Sequence, residues 1–145
     1  MSTTVRDLLA KKGSTVWSVD PDCTVFAALQ TMAERNIGAV LVLEGERPVG
    51  ILSERDYARQ VILKGKTSKD TPVREIMTHA VVCVRPEQTI EDCMQLMTDK
   101  HIRHLPVAVG DAVVGVLSIG DVVKALLEEK QFRIEQLEGY ITSGG

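Results

Sequence analysis

The sequence predicts an α+β fold: two β-α-β-β-α repeats packed sheet to sheet with pseudo-twofold symmetry, plus an extended C-terminal helix. Three observations predict it. The chain matches itself when shifted by 65 positions. Each matched block carries one helically spaced apolar stripe and two short β-branched runs. A further apolar stripe continues beyond the second block.

The self-match runs without a gap from Pro21 to Asp56. Pro21 falls on Pro86, Thr24 on Thr89, Gln30 on Gln95, Met32 on Met97, Ile37 on Ile102, Val42 on Val107 and Gly45 on Gly110. Gly50 to Ser53 falls on Gly115 to Ser118, and Asp56 on Asp121. Matched glycines, caps and periodicity together mark a duplication. The leading residues align too, Val5 to Leu9 with Val73 to Met77, but at an offset of 68, so the first copy carries three extra residues near Lys11 to Gly13.

Within each copy the elements follow in the same order. A short β-branched stretch comes first, Thr15 to Val19 or Val81 to Val84. Thr24 and Thr89 are good N-caps, and Thr89 with Asp92 approximates a capping box. Val25, Ala28, Leu29 and Met32, matched by Ile90, Cys93, Met94 and Met97, give one helical core face. Strands Val40 to Leu43 and Val49 to Leu52 follow, matched by Leu105 to Val109 and Val113 to Leu117, with glycine turns at Gly45 and Gly110. A second helix starts at Ser53 or Ser118. One copy of about 55 residues buries little surface, so two copies are expected to share a core. The expected division is repeat one at 1–66, a polar linker at 67–72, repeat two at 73–127, and a helical extension and tail at 128–145. In that extension Val123, Leu127, Ile134 and Leu137 form one stripe on a helix ending near Gly139, which packs either on a second subunit or back on its own domain.

Composition narrows the function classes. Apolar residues make up 44% and charged residues 26%, which is globular. Aromatics are only 3%, so the core is aliphatic. A net charge of -3 gives no global attraction to nucleic acid or anionic lipid. Arg55, Arg59, Lys64, Lys66, Lys69 and Arg74 form a local basic stretch around Glu54, Asp56 and Asp70, read as a solvated helix end or an anion site. Nucleic-acid binding ranks low because no aromatics interleave those charges. Three cysteines, Cys23, Cys83 and Cys93, with no CxxC, fit free thiols in a reducing compartment. Met1 to Gly13 has no apolar leader core, and no apolar run approaches the ~20 residues of a membrane span. A cytoplasmic protein is expected, with no membrane partner.

The copies match best at Gly50 to Asp56 and Gly115 to Asp121, the pattern Gly-apolar-apolar-Ser-x-x-Asp. It leads from a strand into a helix. Ser-x-x-Asp is a capping-box variant worth about 1 kcal/mol. The same geometry presents helix N–H groups suited to phosphate, and a carboxylate able to accept both hydroxyls of a ribose. Cap and ligand site are compatible.

The ordered set, twice over, resembles a pair of CBS (cystathionine-beta-synthase-type) domains forming a stand-alone Bateman module. The resemblance rests on the duplicated motif, the pairs Met32/Ile37 and Met97/Ile102, and His101-Ile-Arg-His-Leu-Pro-Val107, and covers Val5 to Leu127. It implies a regulatory module binding adenosine-containing ligands between the repeats: AMP foremost, with ADP, ATP or NAD as alternatives. It assigns ribose to Asp56 and Asp121, and ribose and phosphate to Ser53 and Ser118. The base would lie on Val16 and Ile37, Gly38 and Ala39 in copy one, and on Val82 and Ile102 to His104 in copy two. Phosphates would meet Arg55, Arg103 and His104, with Arg59 a weaker candidate. The copies differ: Arg103, His104 and Pro106 stand where copy one has Gly38, Ala39 and Leu41, and Gly120 stands where copy one has Arg55. The two sites need not share a ligand.

No catalytic function is expected. His101-x-x-His104, or His104 with Cys83 or Cys93, lacks a third ligand or an orienting acid. A protein-interaction or dimerisation module without a nucleotide is the main rival. The partners expected are the ligand, a second copy of the chain as a homodimer, and a separate effector protein receiving a population shift.

Overall fold

The computed structural model describes residues 3–79 and 81–144. Six α-helices and two sheets appear among them, in the expected α+β class. In chain order these are α1 (Val5–Lys12), β1 (Ser18–Val19), α2 (Val25–Arg35), β2 (Ala39–Glu44), β3 (Arg47–Ser53), α3 (Glu54–Tyr57), α4 (Val73–Ile76), α5 (Ile90–Lys100), β4 (His104–Val109), β5 (Ala112–Ser118) and α6 (Ile119–Gly144). A π-helical turn, Ala58–Ile62, follows α3.

The chain divides into two compact units, and they do not follow the sequence copies. One comprises Thr15–Val82 with Gly110–Val113. The other comprises Met1–Ser14, Cys83–Val109 and Val114–Gly145. Each leading helix is thus exchanged: α1 belongs to the unit of the second copy, and α4 to the unit of the first.

Backbone hydrogen bonds hold each exchanged helix. Val5 N–H donates to Gln88 C=O at 2.8 Å and Arg6 N–H to Pro86 C=O at 3.0 Å, while Ile90 N–H donates to Thr3 C=O at 3.0 Å. The other unit repeats all three. Val73 N–H reaches Cys23 C=O and Arg74 N–H reaches Pro21 C=O, both at 2.8 Å, and Val25 N–H reaches Thr71 C=O at 2.8 Å. The first N–H groups of a helix have no intrahelical partner. Here the chain entering one helix satisfies the start of another.

In the first unit β1 runs parallel to β2, and β2 pairs antiparallel with β3. The ladder slips between Val42 and Leu43, which faces Pro48. Proline cannot donate to a ladder, and a bulge accommodates it. Val25, Ala28 and Met32 of α2 pack with Val40, Val42, Leu52, Val61, Val73, Ile76 and Met77 in one core. Gly45 at φ 66° makes the hairpin turn, a backbone region that costs glycine little. Asn36 and His101, both left-handed, end α2 and α5 at matched positions. His101 is therefore a helix terminator.

In the second unit β4 pairs with β5, and Val84 forms a single parallel bridge to Val107 where copy one has β1. Ile90, Cys93 and Met97 of α5 are buried, as are Val5 and Leu8 of α1 and Val122 and Ala125 of α6. Helices α1 and α6 meet through polar contacts as well: Lys11 pairs with Glu128 at 3.9 Å, and Thr3 N–H reaches the buried Glu129 at 3.5 Å.

The second helices differ most. Copy one breaks into α3 and the π turn, whereas α6 runs unbroken for 26 residues, roughly 39 Å. It continues past the expected end at Gly139, because no residue there takes a left-handed stop among those described. Its stripe does not pack back on its own unit: Val123, Leu127, Ile134 and Leu137 are 39% to 63% exposed.

The motif glycines admit the exchanged helices. A Cβ on Gly50 would lie 2.5 Å from Met77 Sδ and 3.0 Å from the Thr78 carbonyl. One on Gly115 would lie 2.7 Å from Leu9 Cδ2. Leu9 is a side chain that can turn away; the Thr78 carbonyl is backbone in a two-way bridge with Ile51. Gly50→Ala is therefore expected to cost about 1–3 kcal/mol, and Gly115→Ala less, measured as urea midpoints. Equal costs would show that the Thr78 carbonyl does not set the limit.

Candidate functional site

Each unit builds the same local frame. Strand β2 starts beside the end of β3, with Ala39 opposite Ser53 and Glu54 N–H donating to Gly38 C=O at 3.1 Å. Ile37 N–H closes onto Met32 C=O at 3.0 Å, fixing the loop after α2. Ile37, Gly38 and Ala39 are thereby brought beside Ser53, Arg55 and Asp56. In the other unit Ile119 N–H donates to Arg103 C=O at 2.8 Å and Ile102 N–H to Met97 C=O at 3.1 Å. That brings Ile102, Arg103 and His104 beside Ser118, Gly120 and Asp121. Pro106 lies deeper in β4, where its carbonyl accepts from Val84 N–H at 2.9 Å.

The backbone contacts just named do not include Val16 or Val82. Val16 precedes β1, and it is Trp17 that engages β2, through Leu41 N–H at 3.2 Å. Val82 groups with the unit of the first copy, and Ile102, Arg103 and His104 with the other unit. Arg55, Arg59 and Arg103 are exposed, and no ion pair of theirs occurs among the described residues.

Both Ser-x-x-Asp motifs form capping boxes. Ser53 N–H donates to Asp56 Oδ2 at 2.9 Å, and Asp56 N–H to Ser53 Oγ at 3.1 Å. Ser118 N–H donates to Asp121 Oδ2 at 2.8 Å, and Asp121 N–H to Ser118 Oγ at 3.2 Å. The cap reading and the site reading coincide. A carboxylate has about four lone-pair positions, so each Asp retains acceptor capacity after capping.

Two residues absent from the sequence reading complete the site, one on each Asp. Thr78 Oγ1 donates to Asp56 Oδ1 at 3.3 Å, and its N–H to Ile51 C=O at 2.9 Å. In the other unit the Lys12 ammonium does both jobs, donating to Asp121 Oδ2 and to Val116 C=O. Lys12 is the last residue of α1 and Thr78 follows α4, so each reaches the Asp of the opposite copy. The signal for Lys12 was the three extra residues near Lys11 to Gly13.

The electrostatics differ accordingly. Burial works against the charged form of Asp121, but the Lys12 ammonium and the Ser118 N–H and hydroxyl outweigh it. The result is a pKa below the ordinary 3.8. Burial pushes the Cys93 thiol up to about 11, with the Asp92 charge adding to it, so this cysteine stays protonated and unreactive. Among the described residues no three His, Cys, Asp or Glu side chains group as a metal site, and no helix is long and apolar enough to cross a membrane.

The model of the CBS domain matches the chain twice, over residues 4–62 and 73–128. The chain belongs to the CBS-domain family. It is 40% identical over 153 residues to the CBS domain-containing protein CBSX3, mitochondrial, of Arabidopsis thaliana, covering 99% of this chain and 74% of that one. It is 33% identical over 119 residues to the CBS domain-containing protein YhcV of Bacillus subtilis, covering 82% of each. The solved CBS-domain structure NE2398 superposes with a TM-score of 0.84 at 50% identity, over 88% of this chain and 99% of that one. A putative signal-transduction protein with CBS domains from Burkholderia ambifaria gives 0.84 at 45% identity, over 87% and 95%. Tandem CBS domains are regulatory modules that often bind adenosine ligands. In this CBS pair the two candidate sites therefore share a frame and differ in the group facing the Asp.

The Lys12–Asp121 pair has a pH signature. A depressed carboxylate pKa contributes stability above the unfolded value that is lost as pH falls through the folded one. Wild type is expected to exceed Lys12→Met by under about 1 kcal/mol near pH 7, since both groups are partly exposed. The difference should disappear below the folded pKa of Asp121, itself below 3.8. Urea midpoints across pH measure this; a difference that does not change with pH would rule out the pair as its source.

Proposed function

We propose that this CBS pair is an adenine-nucleotide-binding regulatory module, not an enzyme, taking AMP foremost and ADP, ATP or an NAD-type ligand as alternatives. The observation that carries the reading is the duplicated carboxylate. Asp56 and Asp121 each stand in the first turn of a helix, beside the loop that follows the preceding core helix. Ribose hydroxyls would donate to the carboxylate. Phosphate would lie toward the helix N-terminus and the cations Arg55 or Arg103 and His104. The apolar loop residues Ile37 and Ile102 would meet the base. Ligand energy would favour one conformation of the module, and a separate effector protein would read it. Three free thiols suit a reducing compartment such as the cytosol, although the Arabidopsis relative is named as mitochondrial.

Thermal shift and calorimetry against AMP, ADP, ATP, NAD and adenosine test this. A ligand at 100 times its Kd stabilises by about 2.7 kcal/mol. Asp56→Ala and Asp121→Ala should each remove binding at one site. If neither changes affinity for any of these ligands, the aspartates are caps alone.

A second reading, dimerisation, is favoured by the exposed stripe on α6. Leu127 and Ile134 are seven residues apart, and Leu137 follows three later. That spacing lets two parallel copies pack knobs into holes, with Arg133 of one flanking Glu138 of the other. Sedimentation is expected to show a dimer that Leu127→Glu with Ile134→Glu converts to monomer. A wild-type monomer at high micromolar concentration would remove this reading.

A further inference from the structure

Beyond the motif differences between the copies, the two candidate sites differ in the group that meets the motif Asp, and the difference is a charge. In one unit the group on the motif Asp is the neutral hydroxyl of Thr78. In the other it is the ammonium of Lys12. The replacement is close, because the backbone partner is matched as well. Thr78 N–H fills Ile51 C=O, and Lys12 Nζ fills Val116 C=O at 2.5 Å, at positions related by the repeat.

We infer that Lys12 is a specificity-determining residue that makes the Asp121 site select phosphate-bearing nucleotides over uncharged nucleosides. The inference rests on the ribose reading of Asp121. A ribose that engages Asp121 takes acceptor capacity from Lys12. An uncharged nucleoside returns nothing to the ammonium, which keeps only the Val116 carbonyl and water. A phosphorylated ligand brings its own anion. Asp121 lies in the first turn of α6, whose N–H groups also favour an anion. The flexible four-carbon stem of lysine lets the ammonium move from carboxylate to phosphate without moving the backbone. At the Asp56 site the Thr78 hydroxyl can be displaced without leaving a charge behind, so the group on that Asp adds no selection by ligand charge.

Calorimetry with AMP and adenosine tests this in the full chain. Asp56→Ala isolates the Asp121 site, and Asp121→Ala isolates the other. The ratio of AMP to adenosine affinity should be larger at the Asp121 site. Lys12→Met in the Asp56→Ala background should lower that ratio by about tenfold, the scale of one charge-assisted hydrogen bond. Lys12→Arg should preserve it, and serves as the control for a purely structural effect of changing position 12. An unchanged ratio in Lys12→Met overturns the inference and leaves the ribose reading standing. If the Asp56→Ala protein binds AMP and adenosine no better than the Asp56→Ala/Asp121→Ala double variant, the ribose reading fails and the role of Lys12 falls with it.

Discussion

The structure depends on the satisfaction of helix starts by exchanged backbone. Val5 N–H on Gln88 C=O and Ile90 N–H on Thr3 C=O join α1 to the start of α5. Val73 N–H on Cys23 C=O and Val25 N–H on Thr71 C=O join α4 to the start of α2. Helix starts carry unpaired donors, and leaving them buried without partners is costly. Each unit therefore needs a segment of the other copy to be complete. This gives a physical reason for the duplication: neither copy encodes both partners of its own hydrogen bonds.

The exchange also builds the candidate sites. Because α1 and α4 end beside the motif strands, residues at or just past their C-terminal ends meet the motif aspartates. Gly50 and Gly115 let them approach, and at Gly50 a Cβ would press on the Thr78 carbonyl. Thr78 and Lys12 arrive at Asp56 and Asp121 by this route. The capping boxes hold both aspartates in place before any ligand is present. That is preorganisation: the carboxylate orientation is already fixed by helix formation, so its ordering is not charged to binding.

The two copies have diverged where the fold tolerates it. Their hairpin strands, the caps at Thr24 and Thr89 and the left-handed helix ends match, down to Asn36 and His101. Their second helices do not: one shortens into α3 and a π turn, the other extends as α6 with an exposed apolar stripe. Each still supplies its unit's core, Val61 from the π turn and Val122 and Ala125 from α6, so the divergence alters what the module presents while the buried contacts are kept.

The sequence by itself determined the duplication, the order of elements, the helix caps at Thr24, Thr89, Ser53 and Ser118, and the core faces of α2 and α5. These are local properties: periodicity, glycine turns and capping chemistry act within a few residues, and self-comparison doubles their signal. It also marked Asp56 and Asp121. The exchange of α1 and α4 was decided only by the tertiary structure, because pairing a helix start with a carbonyl 83 residues away (Val5 to Gln88) or 50 residues away (Val73 to Cys23) leaves no periodic trace in either segment. For the same reason the sequence did not place Lys12 on Asp121 or Thr78 on Asp56. The three extra residues near Lys11 to Gly13 were visible from the start. What they do depended on where the chain carried them.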